Sequence, residues 1–309
     1  MTWPSSSPGL KGNSLSSTSR HSRSLASIAM ATLLWSLTGV VLRSVQVAIP
    51  WAVLIRSLAG GLVLLPFVIR GEKITPVRWL IVACVSFSAF IGAFAAGTML
   101  ANAALAVAMQ YASPLYIFLW QLIVHRGRMK QDPLPMIFVL AGVIFLVADA
   151  LANVALPGLL FSFLCGVFFA IYTVSLNKLK TGSPVGVASI CNLSAASLAL
   201  VILPFNFRPV PRLNPDIWLL VLAGLLITAL SYSLYSSALK QVKPPQALMI
   251  ALIEPILNPF WVFLVTGERI SAVSALGLAA IVVGVLTSVI RRPAFSSLER
   301  TGSTHDNHA

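Results

Sequence analysis

Ser113-Pro114-Leu115-Tyr116-Ile117-Phe118-Leu119-Trp120 returns later in the chain as Glu254-Pro255-Ile256-Leu257-Asn258-Pro259-Phe260-Trp261. Each octet lies inside an apolar stretch. Each is followed by a short charged turn (Arg126 to Lys130, and Glu268-Arg269) and by another apolar stretch with a glycine near its middle, Gly142 or Gly284. Duplication of a half-chain is the economical explanation. If each half crosses a bilayer an odd number of times, the copies have opposite orientations, an arrangement that builds an outward and an inward half around one midplane site.

Composition points to lipid before any motif is invoked. Hydrophobic residues make up 58% of the chain and charged residues only 9%, against about 45–50% and about 25% in soluble domains. A helix that spans a bilayer needs about 20 mostly apolar residues. Ten such stretches can be drawn, near 25–43, 51–69, 78–99, 104–125, 134–151, 157–177, 185–204, 216–238, 246–266 and 271–290. The expected fold class is therefore an all-α integral membrane protein with ten transmembrane helices in two inverted five-helix repeats. Residues 25–151 form the first repeat and 152–292 the second. Residues 1–24, which are Ser-rich, and 293–309 read as cytoplasmic tails, the first of them disordered. The first apolar stretch is long enough to span and shows no small-residue cleavage pattern, so it reads as a signal anchor.

Orientation follows from the cations. With the N-terminus inside, 16 Lys and Arg residues fall in cytoplasmic segments and 4 (Arg43, Arg208, Arg212 and Arg269) fall outside, with Arg56 left within a helix. The positive-inside rule selects a multi-pass protein of the cytoplasmic (inner) membrane with both termini cytoplasmic. This distribution also accounts for the net charge of +13. A nucleic-acid partner is not expected, because the cations are spread along short loops and no soluble domain exists to gather them into a patch.

Cys84, Cys165 and Cys191 lie in expected helices, isolated from one another in sequence, and read as small buried hydrophobes. His21, His305 and His308 sit in tails and His125 at a helix end, so neither a metal nor a cofactor is expected. Ala89, Ala93, Gly97 and Ala101 recur every four residues, a small-residue face for close helix packing. Trp51, Trp79 and Trp218 fall near helix starts, as interfacial anchors do.

Several motifs carry a family resemblance: Trp35-Ser36-Leu37-Thr38-Gly39, Arg56-Ser57-Leu58, the Ser113-Pro114 and Glu254-Pro255 pairs, and Gly267-Glu268-Arg269-Ile270 before a glycine-containing last helix. In order and spacing they resemble the drug/metabolite transporter superfamily, EamA type, over residues 25 to 291. The resemblance implies a ten-helix, two-repeat fold with a central cavity and the uptake or efflux of small metabolites. One departure is Arg126-Gly127-Arg128, where the family usually carries a Gly-Glu pair, so any role of that acidic turn survives only at Glu268.

Aligning Pro114 with Pro255 sets Ser113 against Glu254, Ile117 against Asn258 and Trp120 against Trp261. Glu254, Asn258 and Trp261 stand at i, i+4 and i+7, on one helical face. A carboxylate in hydrocarbon costs several kcal/mol, so this face is expected to look into the bundle or a watery cavity. Pro255 and Pro259 cannot donate to the carbonyls of Ala251 and Pro255, and Pro114 frees that of Gln110. Broken helices at equivalent points of two repeats point to a binding site, although prolines also kink helices for packing alone.

Glu254 has three readings: a structural partner, the carboxylate that takes a coupling proton, or a ligand for a cationic group on the substrate. Arg56, about 9 Å inside helix 2 at 1.5 Å per residue, could snorkel outward, pair with Glu254 or a helix end, or meet a substrate carboxylate. Gln110, Ser113 and Gln121 share a stripe in helix 4, with Tyr111 and Tyr116 beside it. Tyr232 and Tyr235 in helix 8 could form an aromatic wall, or belong to serine-rich packing. The expected cavity residues are Gln110, Ser113, Tyr116, Tyr232, Glu254, Asn258, Trp261 and Arg56, around one small amphipathic solute such as an amino acid.

The expected function is secondary active transport of such a metabolite by alternating access, as an exporter. The alternatives are an uptake permease for a solute of the same size and a non-transporting receptor or scaffold. A membrane enzyme is disfavoured, because the chain has only eight acidic residues and no cluster of acids and histidines. The expected partners are the solute, the lipid bilayer and, at Glu254, a proton. Nothing in the sequence sets an oligomeric state.

Overall fold

A computed structural model describes residues 11–124, 133–206, 214–239, 241–242 and 244–302; for 11–20, 206, 244–245 and 291–302 the backbone alone is described. His125, the Arg126 to Lys130 turn, Arg208, Arg212, Lys240, Lys243, His305 and His308 lie outside the described residues. Among those described, the regular elements are helices joined by short loops, with one isolated bridge between Thr75 and Thr181.

The first half contains α1 (Lys11–Ser36), α2 (Thr38–Ser44), α3 (Ile49–Leu64), α4 (Pro66–Ile69), α5 (Val77–Leu100), α6 (Ala103–Tyr111), α7 (Ser113–Val124) and α8 (Pro133–Asn153). The second contains α9 (Leu156–Leu176), α10 (Pro184–Ile202), α11 (Pro215–Ala223), a π-helical turn at Gly224–Leu230, α12 (Ser231–Ala238), α13 (Pro244–Ala251), α14 (Glu254–Thr266) and α15 (Ala272–Gly302). Among the described residues, eight helical spans are long and apolar enough to cross a bilayer, and nine if the bent α6–α7 pair is taken as one span. Against the ten expected, two segments differ. The α6–α7 pair is bent by 43°, because Pro114 cannot donate to the carbonyl of Gln110. Helix α3 has 16 residues, short of a full span, because Pro66 has no N–H to continue its hydrogen-bond ladder and the chain restarts as α4.

The described parts of the two expected tails are helical. Residues 11–24 continue α1, and 293–302 continue α15. A helix once nucleated extends at little cost, so an apolar span carries its polar flanks into helical geometry.

The outer faces carry exposed Ile123, Leu151, Val265 and Trp120, as lipid-facing surfaces do. Inside, the main pairings are α5 with α9, α8 with α15, and α3 with α10; α1 packs on α12, α6 on α9, and α14 on α2. Small residues set the closest approaches. At the crossing of α8 and α15, a Cβ placed on Gly142 would lie 2.5 Å from the carbonyl oxygen of Gly277, and one on Gly277 would lie 2.8 Å from that of Gly142. Only hydrogen fits there. The small-residue face of α5 meets α9, where a Cβ on Gly97 would lie 2.6 Å from Ser162 Oγ.

One end of the bundle is closed by charge. Arg43, in the last turn of α2, sends Nη1 toward the carbonyls of Thr98 and Met99 at 3.4 and 3.3 Å. Its Nη2 stands 2.7 Å from Glu268 Oε2, an ion pair without the alignment of a directed hydrogen bond. Three helix ends, those of α2, α5 and α14, are thereby tied together. Elsewhere Thr75 and Thr181 join two loops, through Lys180 N to Thr75 O at 2.8 Å and Thr181 Oγ1 to Lys73 O at 2.6 Å.

Candidate functional site

The broken helices hold the centre of the site. In both α6–α7 and α13–α14 the second half begins ten residues after the first. Asn102 starts α6 by accepting from Leu105 N at 2.7 Å. Pro255 leaves the carbonyl of Ala251 without its helical donor, and Tyr111 at the end of α6 supplies one. Its hydroxyl lies 2.8 Å from Ala251 O and 3.0 Å from Glu254 Oε2. One phenol thus bridges the two breaks.

Around this junction lies a cavity of about 380 Å³, within the range of small-molecule sites. Glu254, Gln110, Ser113, Arg56 and Tyr232 line it. An aromatic wall, absent from the sequence expectations except for Tyr232 and Tyr235, surrounds them. Trp35 sits between those two tyrosines, with ring centroids 5.5 and 5.1 Å away. Opposite, Phe87, Phe90, Phe169 and Tyr172 stack on one another at 4.9–6.3 Å. The polar remainder of the lining includes Thr38, Asn192 and Thr228.

Tyr116, Asn258 and Trp261 are not among the lining residues. Tyr116 packs edge-on against Phe163, at 5.4 Å between centroids, and its hydroxyl reaches Met109 Sδ at 3.5 Å. Trp261 donates Nε1 to Ser36 Oγ at 2.9 Å. Asn258 is wholly buried against Gly39, and neither of its amide atoms has a hydrogen-bond partner among the described residues. The helical face from Glu254 to Trp261 is divided because α1 and α2 cover its later part and leave only its start open. Gln121 also lies outside the lining, its Oε1 buried and unpaired.

Local structure sets Arg56 in place. The glycines of α3 and the π-helical turn cross closely: a Cβ on Gly224 would lie 2.5 Å from Arg56 O, and one on Gly60 would lie 2.7 Å from Thr228 Cβ. The π turn widens the helix where Ile227 and Thr228 reach the cavity, and such turns recur at functional sites. The serines of α12 hydrogen-bond to nearby carbonyls, Ser231 to Leu226 O and Ser233 to Ala229 O, which leaves the tyrosines as the polar groups facing inward.

The cysteines are not isolated in space. Cys84 and Cys191 bring their Sγ atoms to 3.8 Å between α5 and α10, beside Phe87 and Tyr172 in the same apolar cluster. Their separation of more than 100 residues in sequence hid this.

The model of the EamA-like transporter family matches residues 23–148 and again 156–290. The chain belongs to the EamA-like transporter family. It is thus a multi-pass membrane transporter, as the apolar helices require. It is similar to an uncharacterized transporter of Archaeoglobus fulgidus, 27% identical over 262 residues, 84% of this chain and 94% of that one. A protein of known crystal structure shares the fold, with a TM-score of 0.58 at 19% identity, covering 88% of this chain and 99% of the other. Within an EamA-like transporter, a tied end, an aromatic chamber and a bridged pair of broken helices are parts that can bind a solute and move around it.

Proposed function

We propose that this EamA-like transporter is a secondary active exporter of a small amphipathic metabolite, such as an amino acid, working by alternating access in the cytoplasmic membrane with a proton taken at Glu254. It acts as a carrier and not as an enzyme. The observation that carries this reading is the contact of Tyr111 with both Ala251 O and Glu254 Oε2. A phenol has one hydrogen, and a carbonyl has none to give. With Glu254 ionised, one of the two contacts opposes lone pairs. With Glu254 protonated both are satisfied, the carboxyl donating to Tyr111 Oη and Tyr111 to Ala251 O. Proton release at Glu254 therefore disturbs the break between α13 and α14, which links charge to helix geometry.

Ten spans in two inverted repeats, with both termini cytoplasmic, complete the proposal. In their favour, each pairing has a counterpart in the other half: α5 with α9 matches α1 with α12, and α6 with α9 matches α14 with α2, while α3–α10 and α8–α15 pair equivalent helices. Loading of an exported solute would use the end to which the cavity extends. The cavity is lined by Leu176 at the end of α9, which precedes Lys178 and Lys180, and by Tyr235 and Leu248, whereas the Arg43 end is tied shut. A solute would load from the cation-rich side.

The test is a flux screen of metabolite pools in proteoliposomes with and without an imposed pH gradient. The proposal expects at least one small metabolite to move faster with the gradient. Flux indifferent to the gradient would contradict the coupling.

A further inference from the structure

Arg56 is 6% exposed in the middle of α3, and no hydrogen bond or ion pair to it occurs among the described residues, whose one ion pair joins Arg43 and Glu268. A buried guanidinium with five N–H donors and no acceptor is costly, and in folded proteins it is nearly always paired. Glu254 shares the cavity but gives its carboxyl oxygen to Tyr111, outside ion-pair distance of Arg56. Gln110, Tyr172 and Tyr232 add polar groups to the same walls, and none of their side chains has a hydrogen bond among the described residues. The close crossing of Gly60 with the π-helical turn holds this stretch of α3 against the second half of the molecule. The cavity therefore presents a fixed cation that the protein does not neutralise.

We propose that Arg56 is the seat of a carboxylate carried by the transported solute, a specificity that rests on the transporter reading of this cavity. The planar fork of arginine donates two parallel hydrogen bonds to a carboxylate. A phosphate fits less well. Arg56 is the one cation among the described lining residues, so a dianion would bring uncompensated charge into an aromatic chamber, while a monocarboxylate balances the guanidinium. The phenylalanine and tyrosine rings then cover the apolar body of the solute. Amines and neutral amides of the same shape leave Arg56 unpaired and are rejected.

The test uses the full chain in nanodiscs, with intrinsic tryptophan fluorescence, to which Trp35 in the cavity wall contributes, and thermal unfolding as readouts. The probes are four compounds of matched size: phenylalanine, phenylalaninamide, 3-phenylpropionate and 3-phenylpropanamide. Each carboxylate should bind the wild-type protein at least about tenfold more tightly than its amide, since a polar site left unpaired discriminates strongly. Arg56→Gln should reduce that ratio to near one, and Arg56→Lys should retain part of it. Equal binding of acid and amide by the wild-type protein overturns the seat whether or not the variants fold. So does a lack of response to either carboxylate, or a preference that survives in Arg56→Gln. Counterflow in proteoliposomes separates this proposal from the one beneath it. Carboxylate-selective binding without counterflow of any probe supports the seat and removes transport, while counterflow of phenylalaninamide as fast as phenylalanine keeps transport and removes the seat.

Discussion

The hydroxyl of Tyr111 lies 2.8 Å from the main-chain oxygen of Ala251, the acceptor that Pro255 deprives of its helical donor. A side chain from one broken helix thus repairs the hydrogen-bond deficit of the other. The same hydroxyl reaches Glu254 at 3.0 Å, so the repair and the ionisable group share one atom.

Removing that hydroxyl should loosen the junction. Tyr111→Phe leaves Ala251 O without a donor, at a cost of about 1–3 kcal/mol. The expected outcome is a lower midpoint of thermal unfolding in detergent and a weaker response of flux to the pH gradient.

Glu254→Gln separates coupling from architecture. A glutamine amide donates to Tyr111 Oη as a protonated carboxyl does, so the bridge to Ala251 survives and the variant should fold. Gradient-driven flux should be lost while counterflow persists. Loss of expressed protein would indicate a structural role alone.

Arg43 and Glu268 should govern access from their end of the molecule. Arg43→Gln removes the ion pair and both contacts to the end of α5. A cysteine at Ser113 should then react faster with an impermeant thiol reagent added on that side. The double variant with Glu268→Gln should add little, because the two residues act as one unit.

Gly142→Ala tests the packing of α8 on α15. The added methyl would meet the carbonyl of Gly277 at 2.5 Å, so the backbones must part, at a cost of roughly 1–3 kcal/mol for overpacking. Thermal unfolding should shift downward, whereas Gly92→Ala, whose added Cβ meets nothing within 4 Å, should leave it nearly unchanged.

Much of this was legible in the sequence. The repeated octets located the two broken helices, because proline removes a donor wherever it stands, and a lone glutamate in an apolar stretch marked the cavity. Gln110 and Ser113 were expected on the lining by the same cost of burying polarity, Tyr232 by its aromatic spacing with Tyr235, and Arg56 by its place within a helix; all four line the cavity. The aromatic wall was not, because Trp35, Phe87, Phe90 and Tyr172 look like any other bulky residues in apolar helices. Helical periodicity joined Asn258 and Trp261 to Glu254, but periodicity does not say where a neighbour covers a face; α1 and α2 do so here. The partner of Ala251 O and the pairing of Cys84 with Cys191 are long-range contacts, and the π turn at Gly224 has no local signature of its own.

The most direct measurement is cysteine accessibility across the divided face. In a background with Cys84, Cys165 and Cys191 replaced by alanine, single cysteines at Gln110, Ser113 and Tyr232 should react with a small polar thiol reagent applied from the cytoplasmic side and should be protected by transported solute. Cysteines at Tyr116, Asn258 and Trp261 should stay inert. Uniform inertness, or equal reactivity at all six positions, would contradict a solute chamber between the two broken helices.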